Sequence, residues 1–528
     1  MKGEYDEKAS FNILLLFPGM IMDMAPLIVI VAPVLLPVVQ AVGMSPVTFG
    51  IVLMVNMAIG STTPPVGAGR FLNSYANLTF NEGIKVASKR QKCLDKGFRH
   101  GVAGFSVWIV DGHSRMPRRD RSQAKKGETF MKKPVRVGMV GAGFAASFHL
   151  RSYRQVKEIP VEIAAIAGRT KDHAERLAGR FGIPKAYDDH RFLIDDPSID
   201  VIDLCVPNAL HLPLVLEAVK AGKHVICEKP LTGYFGQGEP DKDVGAVSKR
   251  KMLDKVRADL AEVTRVVAEH PVQFCYAENW IYAPAVRKAL EIIDRCVVTG
   301  AILEVRGEES HSGSHSEYSK SWRYAGGGSL AQLAAHPIGA GLFLKRFEGL
   351  KKTGQPILPV EVFADGVDLT KTPAFHSVKN SPLVTGWEDV ETWSQVTVTF
   401  SDGTRGIFYG ADNLLGGMES TMDIRLSNAR LKLDICPVRI CQFFTVDPAP
   451  VRDVYFNEKQ ETQAGLSFPS PDEEWMLGYP HEIQDFMEAI ALDRAPLSGL
   501  ELAKQVVEVV YAGYVSMEER CKVVLSPT

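Results

Sequence analysis

Hydrophobic and polar positions divide the 528-residue chain into two regimes. From Phe11 to Gly60 the chain is predominantly apolar, and Asp23 is its single charge. Within that stretch Pro26 to Val42 and Pro46 to Gly60 run apolar, interrupted by Pro33, Pro37 and Pro46. Each run is shorter than the ~20 residues a straight membrane-spanning helix needs. Proline-broken short segments have the form of re-entrant or discontinuous membrane helices. No small-residue cleavage site followed by an exported domain marks a secretory signal. After Lys133 the pattern changes. Val135 to Val140 reads as a buried strand, Ser147 to Lys157 as a helix and Val161 to Ala167 as a second strand. Val201 to Cys205, His211 to Ala221 and His224 to Cys227 repeat strand, helix and strand, which predicts βαβ units and a parallel α/β sheet. Further on, Val396 to Phe400, Gly406 to Tyr409 and Met422 to Leu426 are strand-like, with a hairpin turn at Ser401-Asp402-Gly403. Glu501 to Met517 is an amphipathic helix expected to pack back on the first α/β unit.

Composition adds little about partners. A net charge of −2 carries no nucleic-acid signature. The eight cysteines are scattered without a CxxC pair, which reads as a reduced, cytosolic enzyme. Charge is uneven locally. Lys85, Lys89, Arg90, Lys92, Lys96, Arg99, Arg115, Arg118, Arg119, Arg121, Lys125 and Lys126 make residues 71–130 a basic, disordered linker, and basic residues beside a membrane-like segment argue for the cytoplasmic side. Lys125 to Phe130 can be encoded by a purine-rich stretch resembling a ribosome-binding site. The expectation is that Met131 is the native start of a separate enzyme, with residues 1–130 read through from outside it. Its location is then cytoplasmic, or membrane-associated if residues 1–70 are expressed with it.

Gly141-Ala142-Gly143-Phe144-Ala145-Ala146 follows the first strand as GxGxxA. The first glycine permits a tight turn, the second admits a pyrophosphate, and the small sixth residue lets helix and strand pack closely. Alone this motif is weak; between a strand and a helix, with another strand behind, it is a dinucleotide site. At the end of the second strand stand Gly168, Arg169 and Thr170, with no carboxylate at the tip. A guanidinium beside a hydroxyl favours a 2′-phosphate and hence NADP, with Asp172 the alternative contact for a ribose. Pro207, Asn208 and His211 follow the next strand at its C-terminal end, where open α/β sheets bind ligands. His149 on the first helix reads as a packing residue.

Glu228-Lys229-Pro230, together with Pro207-Asn208-Ala209-Leu210-His211, resembles the Gfo/Idh/MocA oxidoreductases, and the resemblance extends over residues 131–528. It implies a Rossmann domain at 131–275 that binds NAD(P). It also implies a C-terminal α+β domain at 276–528 with a mostly antiparallel, open-faced sheet that joins homo-oligomers. Within that frame Glu228 and Lys229 are cofactor-side residues, and Lys229 also touches the substrate hydroxyl or carbonyl. Tyr276 to Pro284 and Gly326 to His336 occupy two further family motifs. The family's usual aspartate, four residues before the histidine, is here Gln332, so the resemblance assigns catalysis to Lys229, His336 and Gln332, with any proton relay running through Lys229 and His336. Ala32 to Gly67 resembles the C-terminal part of the large TRAP transporter permease subunit, which makes residues 1–70 a membrane-like helical fragment.

Around the expected pocket, Tyr276, Glu278, Asn279, His311, His315, Trp322 and Arg323 are substrate contacts, with Trp322 a stacking face for a sugar. His311 and His315 have helical ligand spacing, but Gly313 and the serines argue for a loop and against a metal site. Trp387, Glu388 and Asp389 are expected at solvent or a subunit interface, and residues 236–251 as a surface loop. The function these residues imply is hydride transfer to or from a CH–OH of a polyol, sugar or sugar acid. Two alternatives remain open: glycoside elimination through transient oxidation in the same fold, and a transporter component with a nucleotide-sensing domain.

Overall fold

The run Val135–Val140 forms β1, in which every residue but Arg136 is buried. A strand apolar on both faces belongs in the middle of a covered parallel sheet. β1 pairs in parallel with β2 (Val161–Ala167) on one side and β4 (Val201–Leu204) on the other. With β3 (Ala186–Tyr187), β5 (His224–Glu228) and β6 (Phe274–Ala277) the sheet order is β3-β2-β1-β4-β5-β6. The order reverses between β1 and β4, the crevice where such sheets bind dinucleotides. Helix α1 (Phe144–Tyr153) begins three residues before the expected Ser147, because the glycine turn ends at Gly143 and the helix starts directly behind it. Helices α2 (Lys171–Phe181), α3 (His211–Lys220) and α4 (Lys249–Ala268) complete this layer. The computed structural model describes residues 133–238, 243–314, 316–436, 440–460 and 462–525.

The second sheet has the order β12-β11-β7-β10-β9-β8-β15. Its members are β7 (Ile302–Ser310), β8 (Pro359–Val367), β9 (Trp393–Phe400), β10 (Arg405–Ala411), β11 (Glu419–Leu426), β12 (Arg430–Asp434) and β15 (Val523–Val524). The β9–β10 hairpin turns where expected, with Gly403 at φ 82°. Only the β7–β10 pair is parallel; the other pairs are antiparallel. Helix α5 (Ala335–Thr353) covers β7, and α6 (Leu500–Glu519) covers β8. The period-2 alternation follows: Val362 and Ala364 are buried, whereas Phe363 and Val367 stand exposed on the uncovered face. Helix α6 also packs on α4 and β6, so one helix joins both sheets within the compact unit Gly127–Thr528.

Among the described residues no helix is long and apolar enough to cross a membrane. The expectations for residues 1–130, membrane-like fragment and basic linker alike, lie outside the described residues, as does His315.

Candidate active site

The glycine turn is built for close approach. Gly141 has φ 115°, and a Cβ there would sit 2.0 Å from the Cys205 carbonyl oxygen, so no other residue fits without moving β4. A Cβ on Gly143 would meet nothing within 4 Å, and α1 starts with no side-chain cap. Uncapped first-turn N–H groups facing open space fit a pyrophosphate. Ala146 is fully buried, Phe144 is 55% exposed, and Ala142 and Ala145 line the turn half-buried. At the tip of β2, Gly168 packs against Ala142 and Ala174, while Arg169 and Thr170 are exposed. The Thr170 hydroxyl caps α2 by accepting from His173 N at 3.4 Å. Residues Gly141–Ala146 would hold the pyrophosphate, and a nicotinamide dinucleotide bound there supplies hydride transfer.

Two loops beyond β4 and β5 are clamped together. The His211 ring is buried, with Nδ1 2.6 Å from Pro230 O and Nε2 2.9 Å from Val206 O. His211 therefore sits between the two cofactor-side loops; burial lowers its pKa, and the neutral ring donates its one N–H to one of the two carbonyls. Asn208 donates to Ala325 O at 2.8 Å and ties the cofactor side to the glycine loop of the second domain, while Pro207 is exposed. Below them lies a buried ion network. His149 is fully buried, with Nδ1 2.9 Å from Asp203 Oδ2 and Nε2 in an ion pair with Glu228 at 3.3 Å. Tyr153 donates to Asp203 at 2.8 Å. Burial alone would lower the His149 pKa, but Asp203 and Cys205 carry it well above the ordinary value. His149 is thus an imidazolium between two carboxylates. Its partner Glu228 is held below the ordinary range, burial being outweighed by His149 and Lys229. Glu228 Oε2 accepts Lys229 N at 3.0 Å, so the network ends at the base of Lys229. The ligand atoms of His149, Asp203 and Cys205 lie within 4.8 Å of one another, a spacing that could hold a metal ion. Burial pushes the Cys205 thiol above its ordinary range, and the Asp203 carboxylate is already engaged by His149 and Tyr153, so the trio reads as an ion-pair network.

Lys229 leaves the end of β5 and reaches the second domain, where Nζ donates to the Gln332 carbonyl oxygen at 2.7 Å. The Gln332 side chain has a different task. Its amide donates to Ser319 O at 3.0 Å and Gly327 O at 2.9 Å, which pins the glycine loop. The Gln332 backbone thus positions Lys229, while its side-chain N–H groups are taken by carbonyls. Tyr514, from α6, and Glu391 also hold that loop by accepting Gly328 N.

His336 sits at the start of α5, 7% exposed, with its ring stacked on Trp280 at 6.0 Å. Nδ1 lies 2.8 Å from Glu278 Oε1, which also accepts Trp280 N at 3.3 Å. With Oε1 accepting Trp280 N, the proton of the His336–Glu278 hydrogen bond is assigned to Nδ1, which leaves Nε2 the bare nitrogen. Glu309 Oε2 lies 3.9 Å from Nε2. Burial, reinforced by Lys229, pushes the His336 pKa down to about 4. The imidazole therefore stays neutral near pH 7. Burial pushes Glu278 well above, and Glu309 above, the ordinary carboxylate range. Two buried glutamates thus stand beside His336. Glu309 was missed because strand alternation, not local sequence, turns it inward.

Other expected contacts are placed as follows. Tyr276 is fully buried, its hydroxyl without a hydrogen-bond partner. Asn279 is buried and donates to Leu477 O at 2.9 Å. His311 is buried beside Asp412, 3.5 Å away, and accepts Gly313 N at 3.0 Å. Trp322 is 2% exposed, packed on Tyr514 with Lys249 Nζ 4.7 Å from its ring centre. It is a packing residue with no ring face open to a sugar, which corrects the stacking expectation. Trp387 is buried and the half-buried Asp389 accepts Trp322 N and Gly245 N, so these two turn inward rather than facing solvent, whereas Glu388 is exposed as expected. Arg323 lines a cavity of about 270 Å³ with Asp243, Val244, Ser321, Glu388 and Asp389.

Comparison with known proteins follows this geometry. The family described as "Oxidoreductase family, NAD-binding Rossmann fold" (Gfo/Idh/MocA) matches residues 135–240. The chain carries a Gfo/Idh/MocA oxidoreductase domain. Ahead of it, residues 9–88 match the "Tripartite ATP-independent periplasmic transporter, DctM component". Levoglucosan dehydrogenase of Pseudarthrobacter phenanthrenivorans is 29% identical over 298 residues, 53% of this chain and 68% of the relative. Trans-1,2-dihydrobenzene-1,2-diol dehydrogenase of Mus musculus is 28% identical over 236 residues, covering 45% of this chain and 63% of the relative. The oxidoreductase domain shares its fold with GenD2 from gentamicin A biosynthesis, solved in complex with NAD. That likeness has a TM-score of 0.60 at 21% identity and covers 78% of this chain and 100% of the other.

Proposed function

We propose that the oxidoreductase domain transfers a hydride between a nicotinamide dinucleotide and a CH–OH group of a sugar, polyol or sugar acid. One observation carries this reading. Lys229, from the cofactor-side sheet, reaches across to Gln332 O, and His336 and Glu309 gather around that crossing point. Lys229 donates to the reacting oxygen and steadies the negative charge that develops there. His336, neutral and fixed by Glu278, offers Nε2 as a hydrogen-bond acceptor to a substrate hydroxyl. The exposed pair Arg169 and Thr170 at the β2 tip supports NADP over NAD. The uncovered face of the second sheet supports a homo-oligomer.

The test is a screen of polyols, neutral sugars and sugar acids with NAD and NADP, followed by absorbance of the reduced cofactor, using the full chain and a chain beginning at Met131. Turnover of at least one neutral polyol or sugar is expected from both. Lys229→Ala should abolish measurable turnover while cofactor affinity is kept. Normal turnover by that variant would overturn the assignment, and activity that vanishes without residues 1–130 would favour a transporter component instead.

A further inference from the structure

We propose that Glu309 is a catalytic carboxylate of this site, the group that takes the proton of the reacting hydroxyl during oxidation and returns it during reduction. This rests on the hydride-transfer reading above. Position 332 holds an amide whose N–H groups are tied to Ser319 O and Gly327 O, so a proton acceptor has to come from another element. Glu309 stands at the end of β7, its side chain 8% exposed, turned by strand alternation to the covered face where α5 lies. Its Oε2 is buried without a hydrogen-bond partner. A buried carboxyl oxygen left unpaired is costly, and a purely structural role does not repay it.

The surroundings say what Oε2 awaits. Lys229, Glu278, His336 and Glu458 are the charged and titratable groups that act on it most. His336 Nδ1 is engaged by Glu278, so the bare Nε2 faces Oε2 across 3.9 Å. That gap is too long for a direct hydrogen bond, and with both atoms acceptors each awaits a hydrogen of its own. Two acceptors side by side take one hydrogen each: the reacting hydroxyl gives its own to Glu309, and an adjacent hydroxyl of a vicinal diol gives one to His336 Nε2. In the oxidation the carbinol O–H breaks and an O–H on Glu309 forms. The carbon's hydride, with its electron pair, is taken by the nicotinamide dinucleotide, and a carbonyl remains. Burial holds the Glu309 pKa above the ordinary carboxylate range, while that of His336 lies at about 4. Of the two, Glu309 is the group whose affinity for a proton burial raises.

The test compares Glu309→Gln and Glu309→Asp in the full chain, with levoglucosan and myo-inositol as substrate probes and NAD as oxidant. Glu309→Gln is expected to lower kcat about 10²-fold and to lose the acid limb of the pH–rate profile, with the NADH dissociation constant unchanged. Glu309→Asp should recover at least about a tenth of the wild-type rate and keep the limb. Without any substrate, infrared difference spectra should show a protonated carboxyl that titrates above the ordinary glutamate range in wild type and is missing in Glu309→Gln. A Glu309→Gln enzyme with the wild-type profile overturns the proposal, and so do equal losses in both variants with the limb retained. Absence of that carboxyl signal overturns it too, even where neither probe is turned over. Loss of activity in Lys229→Ala beside a normal Glu309→Gln leaves hydride transfer standing and removes Glu309 alone.

Discussion

Two histidines of this molecule are buried, each hydrogen-bonded to a carboxylate, and their pKa values move in opposite directions. His149 lies between Asp203 and Glu228, with no lysine near enough to figure among the forces on it, and is raised well above the ordinary value. His336 has Glu278 on Nδ1 but stands close to Lys229, and is lowered to about 4. The desolvation cost is common to both. What separates them is the charge that acts most on each ring: the Asp203 carboxylate, helped by Cys205, raises His149, whereas the Lys229 ammonium reinforces burial at His336. The consequence is a division of work, since an imidazolium held charged by Asp203 can brace a loop but cannot accept a proton, whereas a neutral ring with a bare nitrogen can accept a hydrogen bond.

The comparison breaks most visibly at Lys229. Lys229→Met removes the charge that helps hold His336 neutral, so turnover should fall about 10³-fold, within the range for losing one acid–base or charge-stabilising group. The His336 pKa, followed by NMR of labelled histidine, should rise. An unchanged value would mean that burial alone sets it. The other histidine is tested by stability. His149→Leu leaves Asp203 and Glu228 buried without their cation and should cost about 3–5 kcal/mol in urea unfolding. A loss below about 1 kcal/mol would show the network to be dispensable.

The pH dependence of stability sharpens the contrast further. A folded-state pKa below the unfolded value means that the unfolded chain binds the proton first, so the His336 contribution falls as pH drops from about 6.5 through about 4. A raised folded-state pKa acts oppositely: the His149 contribution is complete below about 6.5 and is lost on the alkaline side, as pH rises through its folded value. His336→Asn should therefore flatten the acid limb of the urea midpoint, and His149→Gln the alkaline limb. The smallest expected effect is a control remote from both rings. Arg169→Ala should weaken NADPH binding about tenfold, the loss of one charge-assisted contact, while NADH binding stays within about twofold. Equal weakening of both cofactors would argue against a 2′-phosphate contact.

The parts of the site that were legible in the sequence are those whose chemistry is local. β1 and β2 occupy the residues their hydrophobic runs mark, and the turn between β1 and α1 needs glycine for reasons visible within six residues. The hairpin at Ser401-Asp402-Gly403 is of the same kind. Misreadings came where a side chain's surroundings are supplied from far along the chain. Trp322 looked like a sugar platform because it follows a polar run, yet Tyr514 and Lys249 take its ring. Gln332 looked like a weakened catalytic residue because of its offset from His336, yet the loop it closes claims its amide.

By itself, then, the sequence determined a dinucleotide turn and a lysine at the end of a parallel strand. Each depends on backbone geometry and short-range periodicity. Only the tertiary structure decided which carboxylates those groups meet. Glu278 lies 58 residues from His336 in the chain, and Glu278 and Glu309 become its neighbours because α5 packs on β7 and on the turn Asn279–Tyr282. Proton affinity in a buried site is set by the charges within a few ångströms, and that distance is fixed by the fold rather than by spacing along the chain.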